Sequence, residues 1–414
     1  MPRRLRAARV SVFAVYATIG FLIGVWAGNV PLITQRAGVT PGLLGVIALI
    51  GSVGIVAGAQ LGGRIQQRFG TVRLCLTGLG ITSLSAVGVG FVTNAWALLG
   101  VLTVFCFGGG LNDVGMNMQA VFVERAYRRP IMSAFHALYP VGGALGALLI
   151  FWTATLHWSA PEQLGLAAAI AAVSVAIAST SLLRKGEEPP DPTADADAAG
   201  TTPPEPGKRR RGIRVPMTRL TWLLGLGALT LMSTEGVAGD WSALQLRQAF
   251  GAAAGISAVG YTFFSVAMIA GRLSADRVAA RFGPAAVVRF GSLIGLVGLV
   301  VIVVSPSVWL TLAGWAALGL GISGGVPQIF TAAGNQPNSA IVLSRVLTFG
   351  YVGVFGGPAI IGLIAQVTTV TDAMLLPIVL LIVAVLVSGA LRRRPDTVRV
   401  EPPPDAIIGP RPTG

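Results

Sequence analysis

The chain has 414 residues, of which 53% are hydrophobic and 11% are charged, and its formal net charge is +14. Soluble globular domains contain about 25% charged residues, so this composition excludes an ordinary soluble domain and indicates a membrane protein. A nucleic-acid-binding protein is excluded as well, because the basic residues stand in short clusters between long apolar runs and only 7% of residues are aromatic.

The apolar runs predict twelve membrane-spanning helices, since a helix needs about 20 apolar residues to cross a bilayer. In chain order the predicted spans cover residues 10–34, 42–63, 74–92, 95–123, 131–155, 163–183, 220–246, 255–275, 285–304, 308–333, 345–368 and 372–391. The first run is longer than the apolar region of a signal peptide, about 7 to 15 residues, so we interpret it as a retained helix.

The basic residues predict how the spans are oriented. If the N-terminus lies in the cytoplasm, every lysine and arginine except Arg36 and Arg247 falls in a cytoplasmic loop, linker or tail. The sequence therefore predicts a multi-pass protein of the inner (plasma) membrane with both termini in the cytoplasm.

A Pro-rich, charged stretch after the sixth span divides the chain, because such a composition cannot bury a core. The predicted units are an N-terminal six-helix bundle (1–183), a disordered cytoplasmic linker (184–219), a C-terminal six-helix bundle (220–391) and a cytoplasmic tail (392–414).

The two halves of the chain carry related short sequences. The tripeptide Arg-Phe-Gly at residues 68–70 recurs at 281–283, an offset of 281 − 68 = 213. Repeats related across a six-plus-six division are typical of secondary transporters. The predicted fold class is an all-α polytopic membrane protein with two pseudo-symmetric six-helix bundles.

Four segments carry a specific resemblance to a known family. They are NDVGMNMQAVFVE (112–124), SAFHALYPVGGALGA (133–147), EGVAGDWSALQLR (235–247) and AMIAGRLSADR (267–277). With these segments the chain resembles the major facilitator superfamily (MFS), and within it the YbjJ-type transporters, relatives of the fucose permeases. The resemblance implies the MFS fold and secondary active transport of a small solute by alternating access.

Our leading interpretation is a proton-coupled symporter for a sugar or another small polar metabolite, working as a monomer in the lipid bilayer. Proton-driven efflux of drugs or metabolites is the alternative, which a cavity dominated by Met116, Met118 and aromatic residues would favour. A channel or an intramembrane enzyme is a third option. The sequence has no P-loop, no nucleophile–base pair and no metal-ligand cluster, so we expect no enzyme activity, cofactor, metal or nucleic acid.

The fourth span carries the main candidate for proton coupling. Asp113 lies 11 residues before Glu124, or about 16 Å along a helix, which places it near the membrane midplane. Asn117 shares its face one turn further on. Because intramembrane acids are usually functional, Asp113 is either a proton carrier or a structural group held by neighbouring amides. His136 is a candidate relay or interhelical strut, and Glu235 is a second candidate titrating group.

Further polar and aromatic residues are candidates for the substrate cavity. They are Trp26, Asn29, Asn112, Asn117, Asp240, Trp241 and Gln328. The tryptophans either stack on a sugar ring or line the membrane interface. Asp240 has possible partners in Arg247 and Arg36. The resemblance to fucose permeases implies acids in the first and fourth helices, but the first helix of this chain offers only Asn29.

A third group of residues is expected to form a cytoplasmic gate. The candidates are Arg68, Glu124, Arg272, Asp276 and Arg277. We expect Glu124 to pair with Arg125, Arg128 or Arg129. The resemblance implies a motif G-x-x-x-D-R-x-G-R-R after the second span, but this chain has Gln67 in place of the aspartate. The charge latch is therefore expected mainly in the second half, at Asp276 and Arg277.

Overall fold

A computed structural model describes residues 3–188, 215–251 and 254–391, and these residues are largely helical. The first half contains α1 (Arg3–Ala37), α2 (Pro41–Gly51), α3 (Val53–Phe69), α4 (Thr71–Val89), α5 (Ala95–Tyr127), α6 (Met132–Thr155) and α7 (Ala160–Ser179). The second half contains α8 (Arg219–Phe250), α9 (Ala254–Phe282), α10 (Pro284–Val304), α11 (Val308–Ile322), α12 (Gly325–Gly334), α13 (Ser339–Ala365), α14 (Val370–Ala373), α15 (Leu375–Val387) and a 3-10 helix (Ser388–Leu391).

In the described residues, 11 helical segments are long and apolar enough to cross a membrane. They coincide with eleven of the predicted spans. The remaining prediction, residues 255–275, falls in α9, a helix of 29 residues. Three of the spans are built from consecutive shorter helices: α2 with α3, α11 with α12, and α14 with α15. The predicted all-α polytopic fold class is confirmed.

Each half packs as its own bundle, with α1 against α6 and α4 against α5 in the first half, and α8 against α13 and α10 against α11 in the second. Glycines allow the closest of these contacts. A Cβ atom added at Gly20 would lie 2.0 Å from the carbonyl oxygen of Tyr139, and one at Gly24 would lie 2.0 Å from that of Gly143. Such close backbone approach suits a bilayer, where lipid removes the hydrophobic driving force between helices and van der Waals packing replaces it.

The repeated Arg-Phe-Gly tripeptides adopt the same backbone conformation in both halves. Gly70 joins α3 to α4 with φ 80° and ψ 167°, and Gly283 joins α9 to α10 with φ 85° and ψ 162°. Only glycine adopts such angles without strain. The two residues thus occupy corresponding positions in two similarly built halves.

The first residues of the expected linker lie against the first bundle. Lys185 Nζ donates to the carbonyl oxygen of Arg68 at 3.1 Å, at the end of α3. Glu188 accepts from the Thr71 hydroxyl at 2.7 Å, at the start of α4. Glu188 also accepts from the Thr71 backbone N–H at 3.4 Å. Lys185 and Glu188 thus bond to backbone groups at helix ends, which lack intrahelical partners. The expected disorder of the linker's central part falls on residues 189–214, outside the described residues.

The last residues of the expected linker contact the second bundle, since Arg345 donates to the carbonyl oxygen of Val215 at 2.7 Å. Thr218 then caps α8 by accepting from the backbone N–H of Thr221 at 3.1 Å. The expected cytoplasmic tail, residues 392–414, lies outside the described residues.

The two bundles meet along two side-by-side contacts, α3 with α13 and α6 with α9. We call the end of the bundles at which α5 ends and α6 begins the basic end, because Arg125, Arg128 and Arg129 lie there, and the other end the opposite end. In the α3–α13 contact, Gln60 Nε2 donates to the Thr348 hydroxyl at 2.5 Å.

Candidate functional site

Asp113 lies in the middle of α5, where the two bundles face each other. Its Oδ1 atom accepts from the Asn117 side-chain amide at 2.8 Å. Its Oδ2 atom accepts from the hydroxyl of Tyr351, which belongs to α13 of the second bundle. Both donors are neutral, and no described basic side chain forms an ion pair with Asp113. A single carboxylate therefore takes hydrogen bonds from both bundles.

The Asn117 side chain connects Asp113 to a second group of polar residues. Its Oδ1 atom accepts from the Tyr16 hydroxyl at 2.8 Å and lies 3.1 Å from His136 Nε2. The Tyr16 hydroxyl is also 3.3 Å from the same histidine nitrogen. Three helices, α1, α5 and α6, thus supply a continuous hydrogen-bonded group. It joins Asp113 and His136 through Asn117.

An ion pair lies in the second bundle near this group. Arg272 on α9 donates to Glu235 on α8 at 3.1 Å. The arginine side chain is 8% exposed and the glutamate side chain 35%. The sequence assigned Glu235 to titration and Arg272 to the gate; the structure brings the two residues together as partners.

The start of α6 receives carboxylates from both bundles. Helix N-termini leave four N–H groups without intrahelical partners, and α6 has no capping side chain at Ile131. Glu124 accepts from the N–H groups of Ile131 and Met132 at 2.7 Å each. Asp276 accepts from the next two, Ser133 at 3.0 Å and Ala134 at 2.9 Å. Negative charge at this helix end is also favoured by the helix dipole.

Two further contacts join the bundles at the basic end. The other oxygen of Glu124 accepts from the Thr331 hydroxyl at 2.9 Å. Arg125 donates to Asn335 Oδ1 at 2.5 Å and to the carbonyl oxygen of Gly334. All of the inter-bundle hydrogen bonds described above lie at the basic end or near the middle of the helices.

The structure corrects several expected gate contacts. Glu124 bonds to backbone N–H groups and Thr331, not to an arginine, because the start of α6 lies within its reach. Asp276 caps α6 and does not pair with Arg277, whose guanidinium donates to the Leu273 carbonyl of its own helix at 3.4 Å. Arg68 stacks over the neighbouring Phe69 ring at 5.3 Å, within its own bundle.

Three candidate cavity residues of the first bundle pack inside that bundle. Asn29 is fully buried and donates to the Val25 carbonyl of its own helix at 3.2 Å. Asn112 is also fully buried and accepts from the Cys75 thiol at 3.2 Å, because its side chain points toward α4. Trp26 lies 6.4 Å from the Phe105 ring. Of the first-bundle candidates, the structure brings only Asn117 to the inter-bundle group.

The second-bundle candidates occupy different surroundings. Trp241 donates through Nε1 to the Pro358 carbonyl at 3.1 Å and helps to line a groove of about 440 Å³ between α8 and α13. Gln328 is 3% exposed, and its Nε2 atom is buried without a partner among the described atoms. Asp240 forms no ion pair with a described residue, so its expected pairing with Arg247 or Arg36 is wrong.

Sequence reasoning missed the hydroxyl groups that complete the site. Tyr16, Thr331 and Tyr351 lie inside predicted spans and are not among the candidate residues named from the sequence. A tyrosine midway along a predicted span could have indicated the site, since a buried O–H group normally has a hydrogen-bond partner. Met116 and Met118, which would favour efflux if they lined a cavity, are 5% and 0% exposed.

The fold and site define a polytopic α-helical protein of two similar bundles that share a polar group at their interface. The sequence model of the Major Facilitator Superfamily matches residues 12–277 of this chain. The chain therefore belongs to this superfamily, and it is a membrane transport protein for a solute and not an enzyme.

Comparison with individual proteins agrees with this assignment. An uncharacterized MFS-type transporter of Yersinia pestis is 29% identical over 372 residues, covering 88% of this chain and 91% of that protein. FucP, an E. coli fucose:proton symporter, in its outward conformation has a TM-score of 0.71 at 15% identity, covering 95% of this chain and 100% of FucP. The human organic anion transporter MFSD10 (TETRAN) has a TM-score of 0.72 at 14% identity, with 94% and 100% covered. The two structures share the fold with this chain.

Proposed function

We propose that this protein is a proton-coupled secondary transporter that moves a small polar solute across the plasma membrane by alternating access of its two bundles. The observation that carries the proposal is the position of Asp113. Its carboxyl group lies midway along α5 and, among the residues that the structure describes, accepts hydrogen bonds only from neutral groups, one in each bundle. A change in its protonation therefore acts directly on the bundle interface.

The hydrogen bond between Asp113 and Tyr351 gives protonation a structural effect. The ionised carboxylate can only accept, so the Tyr351 hydroxyl donates to it. A protonated carboxyl group donates as well as accepts, and the contact then loses the strength of a charge-assisted bond. Protonation of Asp113 thus weakens a contact that holds the bundles together at their middle.

His136 gives the proton a route toward the basic end. It lies near the start of α6 and shares Asn117 with Asp113. Histidine is suited to proton relay because one of its ring nitrogens can donate while the other accepts. Tyr16, within 3.3 Å of the same ring nitrogen, supplies a hydroxyl that exchanges donor and acceptor roles.

The proposed orientation puts the basic end in the cytoplasm, in accord with the positive-inside rule. The contacts of Glu124, Arg125 and Asp276 then close the cytoplasmic side of the interface between the bundles. FucP in the outward conformation, one of the structures with the same fold, is consistent with this assignment. We propose that one polypeptide suffices for transport, because its two bundles supply both sides of the interface.

A polar solute fits the residues at the interface better than an apolar one. Charged and hydrogen-bonding side chains gather there, whereas Met116 and Met118 are buried in packing. In the ion pair of Arg272 with Glu235, the Glu235 side chain is the more exposed, at 35%. Glu235 is therefore our candidate for contact with the solute. FucP is a fucose:proton symporter, so sugars are the first solutes to test.

The test is solute-driven proton flux in proteoliposomes that enclose a pH-sensitive dye. A panel of sugars and other small metabolites is added with an imposed pH gradient, and wild type is compared with Asp113→Asn. We expect a solute that acidifies the lumen with wild type, and loss of this signal with Asp113→Asn, because the amide cannot carry a proton.

Glu162→Gln is the matched control, since Glu162 is a helix-capping acid that bonds to Ser159 at the opposite end of the first bundle. It should leave the flux unchanged. Proton-coupled flux that persists in Asp113→Asn would refute Asp113 as the carrier. Alkalinisation of the lumen by an added drug, which enters in exchange for lumenal protons, would favour the efflux alternative.

A further inference from the structure

Pro140 lies inside α6 and changes the hydrogen bonding of the residue one turn before it. Proline has no backbone N–H, so the carbonyl group four residues earlier loses its intrahelical donor. In α6 that carbonyl belongs to His136. A buried carbonyl group without a partner is unfavourable, so another donor is expected nearby.

The donor comes from the other bundle. Arg272 on α9 donates through one terminal nitrogen to the His136 carbonyl oxygen at 3.4 Å. Its other terminal nitrogen bonds to Glu235 at 3.1 Å. One guanidinium group therefore holds a carboxylate in its own bundle and a proline-freed carbonyl group in the other. With its side chain only 8% exposed, Arg272 makes both contacts away from bulk solvent.

The same two helices are joined one turn further along α9. Asp276, four residues after Arg272, accepts from the N–H groups of Ser133 and Ala134 at the start of α6. The α9 helix thus contacts α6 in two ways. Asp276 accepts from the free N–H groups of α6, and Arg272 donates to the free carbonyl group of α6. The second contact depends on Pro140, because a residue with an N–H would bond to the His136 carbonyl within the helix.

We propose that Pro140 and Arg272 are positioning residues that link closure of the basic end to the proton site. Arg272 holds the backbone of His136, while the side chain of His136 bonds to Asn117 beside Asp113. When α9 separates from α6, Arg272 keeps Glu235 and releases His136. The inference rests on the proposed alternating access and adds a specific contact through which the two bundles act on each other.

The experiment measures the ratio of closed to open basic ends by double electron–electron resonance. Spin labels are placed by Arg73→Cys on α4 and Arg289→Cys on α10, both exposed at the basic end and in different bundles. The native cysteines are removed by Cys75→Ala and Cys106→Ala in every sample. Two distance populations in reconstituted protein, whose ratio changes with pH, report the closed and open states.

Pro140→Ala restores an N–H group to α6 and should lower the closed-to-open ratio about tenfold, the size expected for loss of a hydrogen bond to a charged donor. Pro358→Ala is the matched control. Pro358 lies inside α13, but the carbonyl oxygen it frees, that of Val354, accepts from no described side chain. This control should leave the ratio unchanged.

A double-mutant cycle separates the contact from a general change in helix shape. In the background Glu235→Gln with Arg272→Gln, which leaves no unpaired charge, Pro140→Ala should have no further effect. An equal shift in both backgrounds, or no shift in either, would overturn the inference while leaving alternating access intact. A single distance under all conditions would overturn the proposed alternating access and this inference with it.

Discussion

Asp276 offers the sharpest test of how the basic end is held closed. Asp276→Ala removes the two hydrogen bonds to the N–H groups of Ser133 and Ala134, at 3.0 and 2.9 Å. No other described side chain caps these two groups, because Glu124 is already bonded to Ile131 and Met132. The substitution therefore leaves two of the four free N–H groups of α6 without an acceptor and does not change the helices themselves.

The expected magnitude follows from the loss of a helix cap. Replacing a capping side chain by alanine costs about 0.5–2 kcal/mol. We take the upper part of this range, about 1–2 kcal/mol, because Asp276 caps two N–H groups and only the closed state has this cap. A difference of about 1–2 kcal/mol corresponds to a factor of roughly 5–30 in an equilibrium constant. Asp276→Ala should therefore lower the closed-to-open ratio of the basic end by roughly 5- to 30-fold.

The assay is the distance measurement between labels at positions 73 and 289 described above. Asp372→Ala is the matched control, because Asp372 caps a helix by accepting from Thr369 within the second bundle. It should leave the ratio unchanged. If Asp276→Ala gave the wild-type ratio, the carboxylate would not contribute to closure and the reasoning from helix capping would fail.

Three further substitutions test other contacts. The Arg4 guanidinium lowers the pKa of the Glu187 carboxyl group to about 2. The pair is exposed, so it stabilises the folded protein by at most about 1 kcal/mol. This stabilisation is complete above the unfolded pKa of glutamate, about 4.3, and is lost as the pH falls through about 2. The Tm difference between wild type and Glu187→Gln in detergent should thus be present at pH 7 and shrink below pH 4; a difference that grows on acidification would contradict this sign. Gly63→Ala should lower the closed-to-open ratio, because its Cβ atom would lie 2.8 Å from a side-chain carbon on α13. Gly24→Ala should lower the Tm, since its Cβ atom would lie 2.0 Å from a carbonyl oxygen. Gly80→Ala, with nothing within 4 Å of the added Cβ, is the control for both, and an equal effect there would refute the packing argument.

The sequence was sufficient to predict eleven of the spans found in the described residues and the position of Asp113 midway along its helix, because both depend on local quantities. Apolar run length gives the spans, and the rise of the helix gives the position. Helical spacing also predicted that Asp113 and Asn117 share a face, and the structure shows them bonded at 2.8 Å. These relations hold within one helix, so no knowledge of the other bundle was needed.

The partners between bundles were not predictable in the same way. Tyr351 stands 351 − 113 = 238 residues after Asp113, and nothing in the local pattern pairs them. Glu124 was expected to form an ion pair with an arginine because opposite charges attract. It instead bonds to backbone N–H groups, since the position and direction of the start of α6 decide what lies within reach. Charge is visible in a sequence, whereas the direction of a helix end is not.

The basic end is closed by different means on its two sides. The internal offset of 213 residues relates Asp276 to position 276 − 213 = 63, which is a glycine. Asp276 holds α6 by hydrogen bonds, whereas Gly63 lets α3 approach α13 so closely that an added Cβ would lie 2.9 Å from the Ala340 carbonyl oxygen. Water replaces a hydrogen bond as helices part, but it does not replace close packing between backbones. The α6–α9 side also contains the contacts of Arg272 with His136, next to Asp113. The α6–α9 side is therefore held mainly by polar contacts and the α3–α13 side mainly by close packing, and under the proposed alternating access we expect the glycine-packed side to be the support about which the bundles rock.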